Sequence, residues 1–186
     1  MIGTPDADAR RFDEHAPRID RARSPLLAAA LPWASVALLS LLGAATVIAS
    51  APLLPPLAFM ALIAWRQLRP GMLPIWAGLP LGAIDDLYSG QPFGSAILLW
   101  SCTMLALEVA DVRLSWRGFF QHWLEAAALI SLYLVATCAL AALAGAPFDP
   151  MALTPQLVLS LVSQPLVARL VAELDRLRLL PLRRPS

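Results

Sequence analysis

Two adjacent carboxylates, Asp85 and Asp86, stand in the stretch IDDLYSGQPFG at residues 84–94, between long apolar runs. Paired acids can hold magnesium on a diphosphate, activate water or bind a metal, and each of these chemistries needs further residues. A DDxxD magnesium motif needs an acid at the fifth position, which here is Ser89. Intramembrane aspartyl proteases need a second aspartate motif among glycines, and phosphatidyltransferase-type sites need several aspartates spaced along helices. Neither pattern is present. Hard cations take six or more oxygen ligands, and no His or third carboxylate lies near the pair.

Other polar groups in the apolar runs are few. Glu108 and Glu125 flank a segment containing Arg113 and Arg117, and both read as interfacial ion pairs. Glu125 follows His122 by three residues, a spacing that allows a local hydrogen bond on a helix. A proton relay would place such groups deeper in a bundle. No Ser/His/Asp or Cys/His set is arranged for nucleophilic attack, and FGSAI at 93–97 does not complete a GxSxG elbow. Cys102 and Cys138 lie in mid-run without CxxC or Cys/His neighbours and read as small packing residues. The residues point to a non-enzyme with no cofactor and no metal.

The elements that must position these groups are membrane helices. The chain has 186 residues, 59% of them hydrophobic and only 15% charged, with a mean hydropathy of +0.67. Its apolar residues gather in blocks near the length that crosses a bilayer, roughly 17–25 residues. A net charge of +1 gives no bulk attraction for nucleic acid. All 14 basic residues are Arg, which points to GC-rich coding and a bacterial source. Residues 1–25 carry five acids and five arginines and read as a disordered cytoplasmic tail rather than a cleavable leader. Six spans follow, near 31–50, 53–67, 72–88, 92–110, 123–144 and 151–172. The expected division is a tail at 1–25, a six-span domain at 26–176 and an Arg-rich cytoplasmic tail at 177–186.

The arginines fix the expected topology. Arg10, Arg11, Arg18, Arg21 and Arg23 precede the first span, Arg66 and Arg69 follow the second, Arg113 and Arg117 follow the fourth, and Arg169 onward closes the chain. The alternate loops carry no Arg. Basic residues favour the cytoplasmic side, so both termini are expected there. Trp33, Trp65, Trp76, Trp116 and Trp123 fall near the same ends, where indole favours the interface. Trp100 sits deeper.

Within the third span, Gly78 and Gly82 are four apart, which puts them on one helix face and lets a neighbouring backbone approach. Pro80 and Pro165 each remove a backbone donor and are expected to kink their helices. Met72 to Asp86 spans roughly 21 Å of helix, so the carboxylates lie at the outer membrane edge, where charge costs less than at the midplane. Ser89, Gly90, Gln91 and Pro92 supply a turn, and Pro92 suits the first turn of the fourth helix.

The block AWRQLRPGMLPIWAGLPLGAIDDLYSGQPFG, residues 64–94, resembles the signature region of the MreD family of rod shape-determining membrane proteins. Asp86, Gly90, Pro92 and Gly94 match a D-x-x-x-G-x-P-x-G pattern, and Trp65, Arg69 and Pro70 match the element before it. Asp85 is an extra acid beside Asp86, and Phe93 stands where leucine is usual. The resemblance implies a non-enzymatic inner-membrane component of the cell-elongation complex, controlling cell shape and lateral peptidoglycan synthesis. The implied partners are an MreC-like single-span protein and, indirectly, the actin-like MreB and the peptidoglycan-elongating synthase pair, with membrane lipid around them. The implied fold is an all-α six-helix bundle like the substrate-binding subunit of energy-coupling-factor transporters. The hairpin carrying Asp86, Gly90, Pro92 and Gly94 is the expected partner site, with Gly78, Pro80 and Gly82 packing the helices; the alternative is that Asp86 only caps or orients its own hairpin. The competing assignment is a small-molecule-binding subunit of such a transporter. Only Asp85, Asp86, Tyr88, Gln91 and Asp149 would then offer polar groups on the outer side.

Overall fold

A backbone in a membrane is satisfied within a helix or a closed barrel, and in the computed structural model all regular structure among the described residues, 25–46, 54–113, 118–145 and 150–179, is helical. The helices are α1 (Pro25–Thr46), α2 (Leu57–Leu68), α3 (Gly78–Tyr88), α4 (Ser95–Arg113), α5 (Phe119–Leu143) and α6 (Pro150–Leu179), with a 3-10 turn at Ile75–Ala77 before α3. Residues 1–24, most of the expected N-terminal tail, lie outside the described residues, as do Trp116, Arg117 and Asp149.

Three segments are long and apolar enough to cross a membrane: α4, α5 and Leu153–Leu177 within α6. Ala29–Gly43 and α2 are shorter apolar helices. The six expected spans therefore correspond to six helices of unequal reach. At 12 residues α2 is about 18 Å long, well short of a hydrocarbon core of about 30 Å.

α2 forms the centre of the bundle. Every residue from Ala58 to Arg66 is buried, as expected for a helix that is apolar on all sides. The other helices pack round it, with α1, α5 and α6 in direct contact. Phe59 on α2 stacks on Tyr133 of α5 at a centroid distance of 4.1 Å and meets Trp100 of α4 at 6.0 Å. Trp65 is also wholly buried. This corrects its expected place at the interface: the ring sits in the core, and its Nε1 donates to Ser35 Oγ on α1 at 2.9 Å.

The most extensive helix pair is α3 with α4, and its closeness depends on glycine. A Cβ on Gly78 would lie 2.8 Å from Ser101 N and Trp100 C, and one on Gly82 would lie 2.8 Å from Ala96 O and Ile97 Cα. Backbone therefore meets backbone along this seam.

Pro80 and Pro92 sit differently from expectation. α3 begins at Gly78, so Pro80 falls in its first turn, where no intrahelical donor is lost. The expected single span at 72–88 divides there into a 3-10 turn and a short helix. Pro92 precedes α4 and is not part of its first turn. Pro155 and Pro165 lie inside α6, which continues through both. Cys102 faces outward and does not pack in the core, while Cys138 is half-buried.

Candidate functional site

The chain reverses between α3 and α4, and the residues of the turn each answer a backbone requirement. α3 ends at Tyr88, with Ser89 N–H donating to Asp85 O at 2.8 Å. Gly90 then has φ +69, the left-handed conformation in which helices commonly stop. Pro92 O accepts from Ser95 N–H at 3.1 Å, closing a turn over 92–95. Gly94, the third residue of that turn, has φ +98. A turn with positive φ at this position is built with glycine.

Gly94 also stands at the N-cap of α4, its carbonyl accepting from Leu98 N–H at 3.0 Å. A cap normally supplies a side-chain oxygen to the first free N–H groups, and glycine has none. Asp86 supplies it from the previous helix. Its Oδ1 accepts from Ala96 N–H at 2.8 Å and its Oδ2 from Ile97 N–H at 3.1 Å. Oδ2 also accepts from Gly94 N–H at 2.9 Å, and Oδ1 from Ser95 Oγ at 3.3 Å. One carboxylate therefore performs both halves of a capping box, eight to eleven residues away in sequence. Its negative charge also lies at the positive end of the α4 dipole. Asp86 is 5% exposed, and donors surround both oxygens. That polarity suits neither a metal nor a proton-transfer role.

The expected site residues thus come together. Asp86, Gly90, Pro92 and Gly94 form one pinned reversal, and Gly78 and Gly82 hold α3 against the helix that Asp86 caps. Asp85 points elsewhere and is half-buried, next to Ser40 of α1 and Tyr133 of α5. The crest of the hairpin is apolar and open: Leu87 is 67% and Phe93 73% exposed, with Tyr88 beside them.

A second constellation lies at the opposite, arginine-bearing end, and the sequence did not reveal it. Residues at the end of α2 and just past it make ties to four helices. Trp65 bonds to α1, as above. Arg66, 4% exposed, pairs with Glu108 and, at 3.0 Å, with Asp111, both on α4. Gln67 Nε2 donates to His122 O at 2.9 Å and Glu125 Oε2 at 3.1 Å, both on α5. Arg69 Nε donates to Asp175 Oδ2 on α6 at 3.0 Å. Glu108 pairs with Arg66, and Glu125 accepts from Gln67, so α2 supplies a partner to each. His122 Nδ1 lies 3.9 Å from Glu125 Oε2, too far for the expected local hydrogen bond. The available signal was the run WRQLR itself: polar residues of mixed geometry closing a fully apolar helix.

Compared with known proteins, residues 27–174 match the family model described as rod shape-determining protein MreD. No curated protein and no solved structure matches the chain.

Proposed function

The chain belongs to the MreD family of rod shape-determining membrane proteins, and from that premise we propose that it is a non-enzymatic scaffold of the cell-elongation machinery. In this role it sits in the bacterial inner membrane with both termini cytoplasmic. It binds an MreC-like single-span protein and through it links the actin-like MreB to the peptidoglycan-elongating synthase pair. The observation that supports a scaffold is where the polar groups go. At both ends of the bundle they are spent on holding helices to one another, at Asp86 and along Trp65–Arg69. Such a frame suits presentation of a fixed surface.

The surface we assign to the partner is the hairpin crest, Leu87, Tyr88 and Phe93. Exposed apolar groups on a rigid turn are suitable anchors for a partner helix leaving the membrane. Asp86 is then a positioning residue, with no oxygen left for a partner. Purification of the tagged protein in mild detergent, with mass spectrometry of what accompanies it, tests the proposal. An MreC-like protein and wall-elongation components are expected with the wild type. Phe93→Asp should lose them while melting at the wild-type temperature. Recovery of transporter ATPase subunits in their place would overturn the assignment in favour of a transporter component with an energy-coupling-factor-like fold.

A further inference from the structure

We infer that the groove between α5 and α6 binds an anionic phospholipid, with an acyl chain in the groove and the headgroup phosphate on Arg169. The site is independent of the partner surface assigned above and depends only on the chain crossing a membrane.

The first observation is a cavity. α5 and α6 pack together, and a groove of about 480 Å³ stays open between them. Small-ligand sites typically have roughly 300–1,000 Å³. Phe119, Phe120 and Trp123 form one wall, and Val158, Val162 and Pro165 form the other. Phe120 and Trp123 meet at a ring-centroid distance of 6.0 Å, so the first wall is one aromatic surface. No charged side chain lines the groove. Its walls are open to the surroundings: Phe119 is 78% and Val162 71% exposed. The α6 wall belongs to Leu153–Leu177, a segment long and apolar enough to cross a membrane. A groove on such a segment faces the bilayer hydrocarbon, and its complement is a hydrocarbon chain.

The second observation is a charge at the end of that groove. Arg169 follows Pro165 by four residues and Val162 by seven, which places it on the same face of α6. It continues the groove wall about 6 Å beyond Pro165. Arg169 is exposed and lies within the same apolar segment. Among the described residues, no acid forms an ion pair with it. The acids that follow it on α6 are engaged elsewhere, Glu173 with Arg176 at 2.7 Å and Asp175 with Arg69 at 3.0 Å. A guanidinium exposed on an apolar span is costly unless it reaches an anion near the interface. Trp123, on the opposite wall, is of the residue type that favours headgroup depth.

Together the groove and the charge specify a ligand. It must join a hydrocarbon chain to an anion within about one helical turn. A phosphate accepts the two parallel N–H bonds that a guanidinium offers, and basic sites between membrane helices suit anionic headgroups. A partner helix would also cover the groove, but it would have to carry an acid into the bilayer to meet Arg169, which is costly. A lipid phosphate already stands at the edge of the hydrocarbon. A zwitterionic lipid brings an ammonium that offsets its own phosphate, so a lipid of net negative charge is the better complement.

The test uses the full chain, so that the acids of residues 1–24 compete for Arg169. The protein is purified in mild detergent, stripped of lipid and followed by native mass spectrometry and thermal-shift titration. The probes are phosphatidylglycerol and phosphatidylethanolamine with identical acyl chains. Wild type is expected to retain phosphatidylglycerol in preference and to melt higher with it. Arg169→Gln should weaken phosphatidylglycerol by about tenfold and abolish the preference. Arg176→Gln, further along α6, should keep the preference. Val162→Trp fills the groove from an exposed position. It should weaken both lipids while the lipid-free protein melts at the wild-type temperature. The proposal is overturned by a wild type without preference, by equal binding in wild type and Arg169→Gln, or by equal losses in Arg169→Gln and Arg176→Gln. It is also overturned if Val162→Trp binds both lipids as wild type does. A protein that accompanies wild type without retained lipid, and is lost in Val162→Trp, would assign the groove to a partner helix instead.

Discussion

Replacing Asp86 by alanine tests the reversal most sharply. The substitution removes the acceptor for three backbone N–H groups of α4, at Gly94, Ala96 and Ile97, and for the Ser95 hydroxyl. Loss of an ordinary N-cap costs about 1 kcal/mol, and hydrogen bonds to a charged group contribute about 1.5–3 kcal/mol each. These terms do not add in full. Gly94 and Ile97 are partly exposed and can recover water, whereas Ala96 is buried. The net loss is therefore about 3–4 kcal/mol, or roughly 6–16 °C in melting temperature for a chain of this size. Asp86→Asn is not a neutral control. Its single oxygen can serve either the Gly94/Ile97 side or the Ala96/Ser95 side, and its amide then faces donors on the other. A loss of about 2–3 kcal/mol is expected. The assay is thermal unfolding in mild detergent together with amide hydrogen exchange over residues 94–98. Protection should fall first at Ala96 and Ile97, while α5 and α6 keep theirs. If Asp86→Ala melted within about 2 °C of wild type with unchanged protection at 94–98, the capping account would be wrong.

Further outcomes follow from the same geometry. Gly82→Ala forces a Cβ to within 2.8 Å of the α4 backbone, and the overpacking should cost about 1–3 kcal/mol, read as a lower melting temperature. Gly90→Ala places a side chain at φ +69. About 1 kcal/mol of strain is expected there, with no loss of α3–α4 packing by cysteine cross-linking. Arg66→Ala removes the cation that Glu108 and Asp111 share. Because Glu108 is well exposed, the cost should be about 2–3 kcal/mol. A double-mutant cycle with Glu108→Gln should return a clear coupling energy, and additivity would remove Arg66 from the account.

The sequence was most informative where a local rule decides the outcome. Apolar runs marked six helices, and Gly78 with Gly82 marked the close face of α3. Gly90 and Gly94 matched a family pattern whose physical reason, two positive-φ positions round a reversal, became visible only with backbone angles. A capping role for Asp86 is one of two readings the sequence leaves open; which N–H groups it caps is not legible, because every residue but proline carries one. Arg66 was placed with loop arginines that mark topology, yet it is buried against acids some forty residues onward. Trp65 was misplaced for a related reason: indole favours an interface on average, but α2 is enclosed by its neighbours. Hydropathy gives the length of an apolar run and not which run becomes the centre. Prolines misled the boundaries because α3 starts just before Pro80 and α6 runs on through Pro155 and Pro165, and composition alone does not say where a helix starts.

The most direct measurement of the scaffold proposal is photo-crosslinking in living cells from position 93, where a benzoylphenylalanine replaces the exposed Phe93 and adducts are identified by mass spectrometry. The account predicts an adduct with an MreC-like single-span protein, undiminished by Asp85→Asn and lost when Asp86→Ala disorders the turn. Adducts confined to lipid, or formed with transporter subunits, would contradict it.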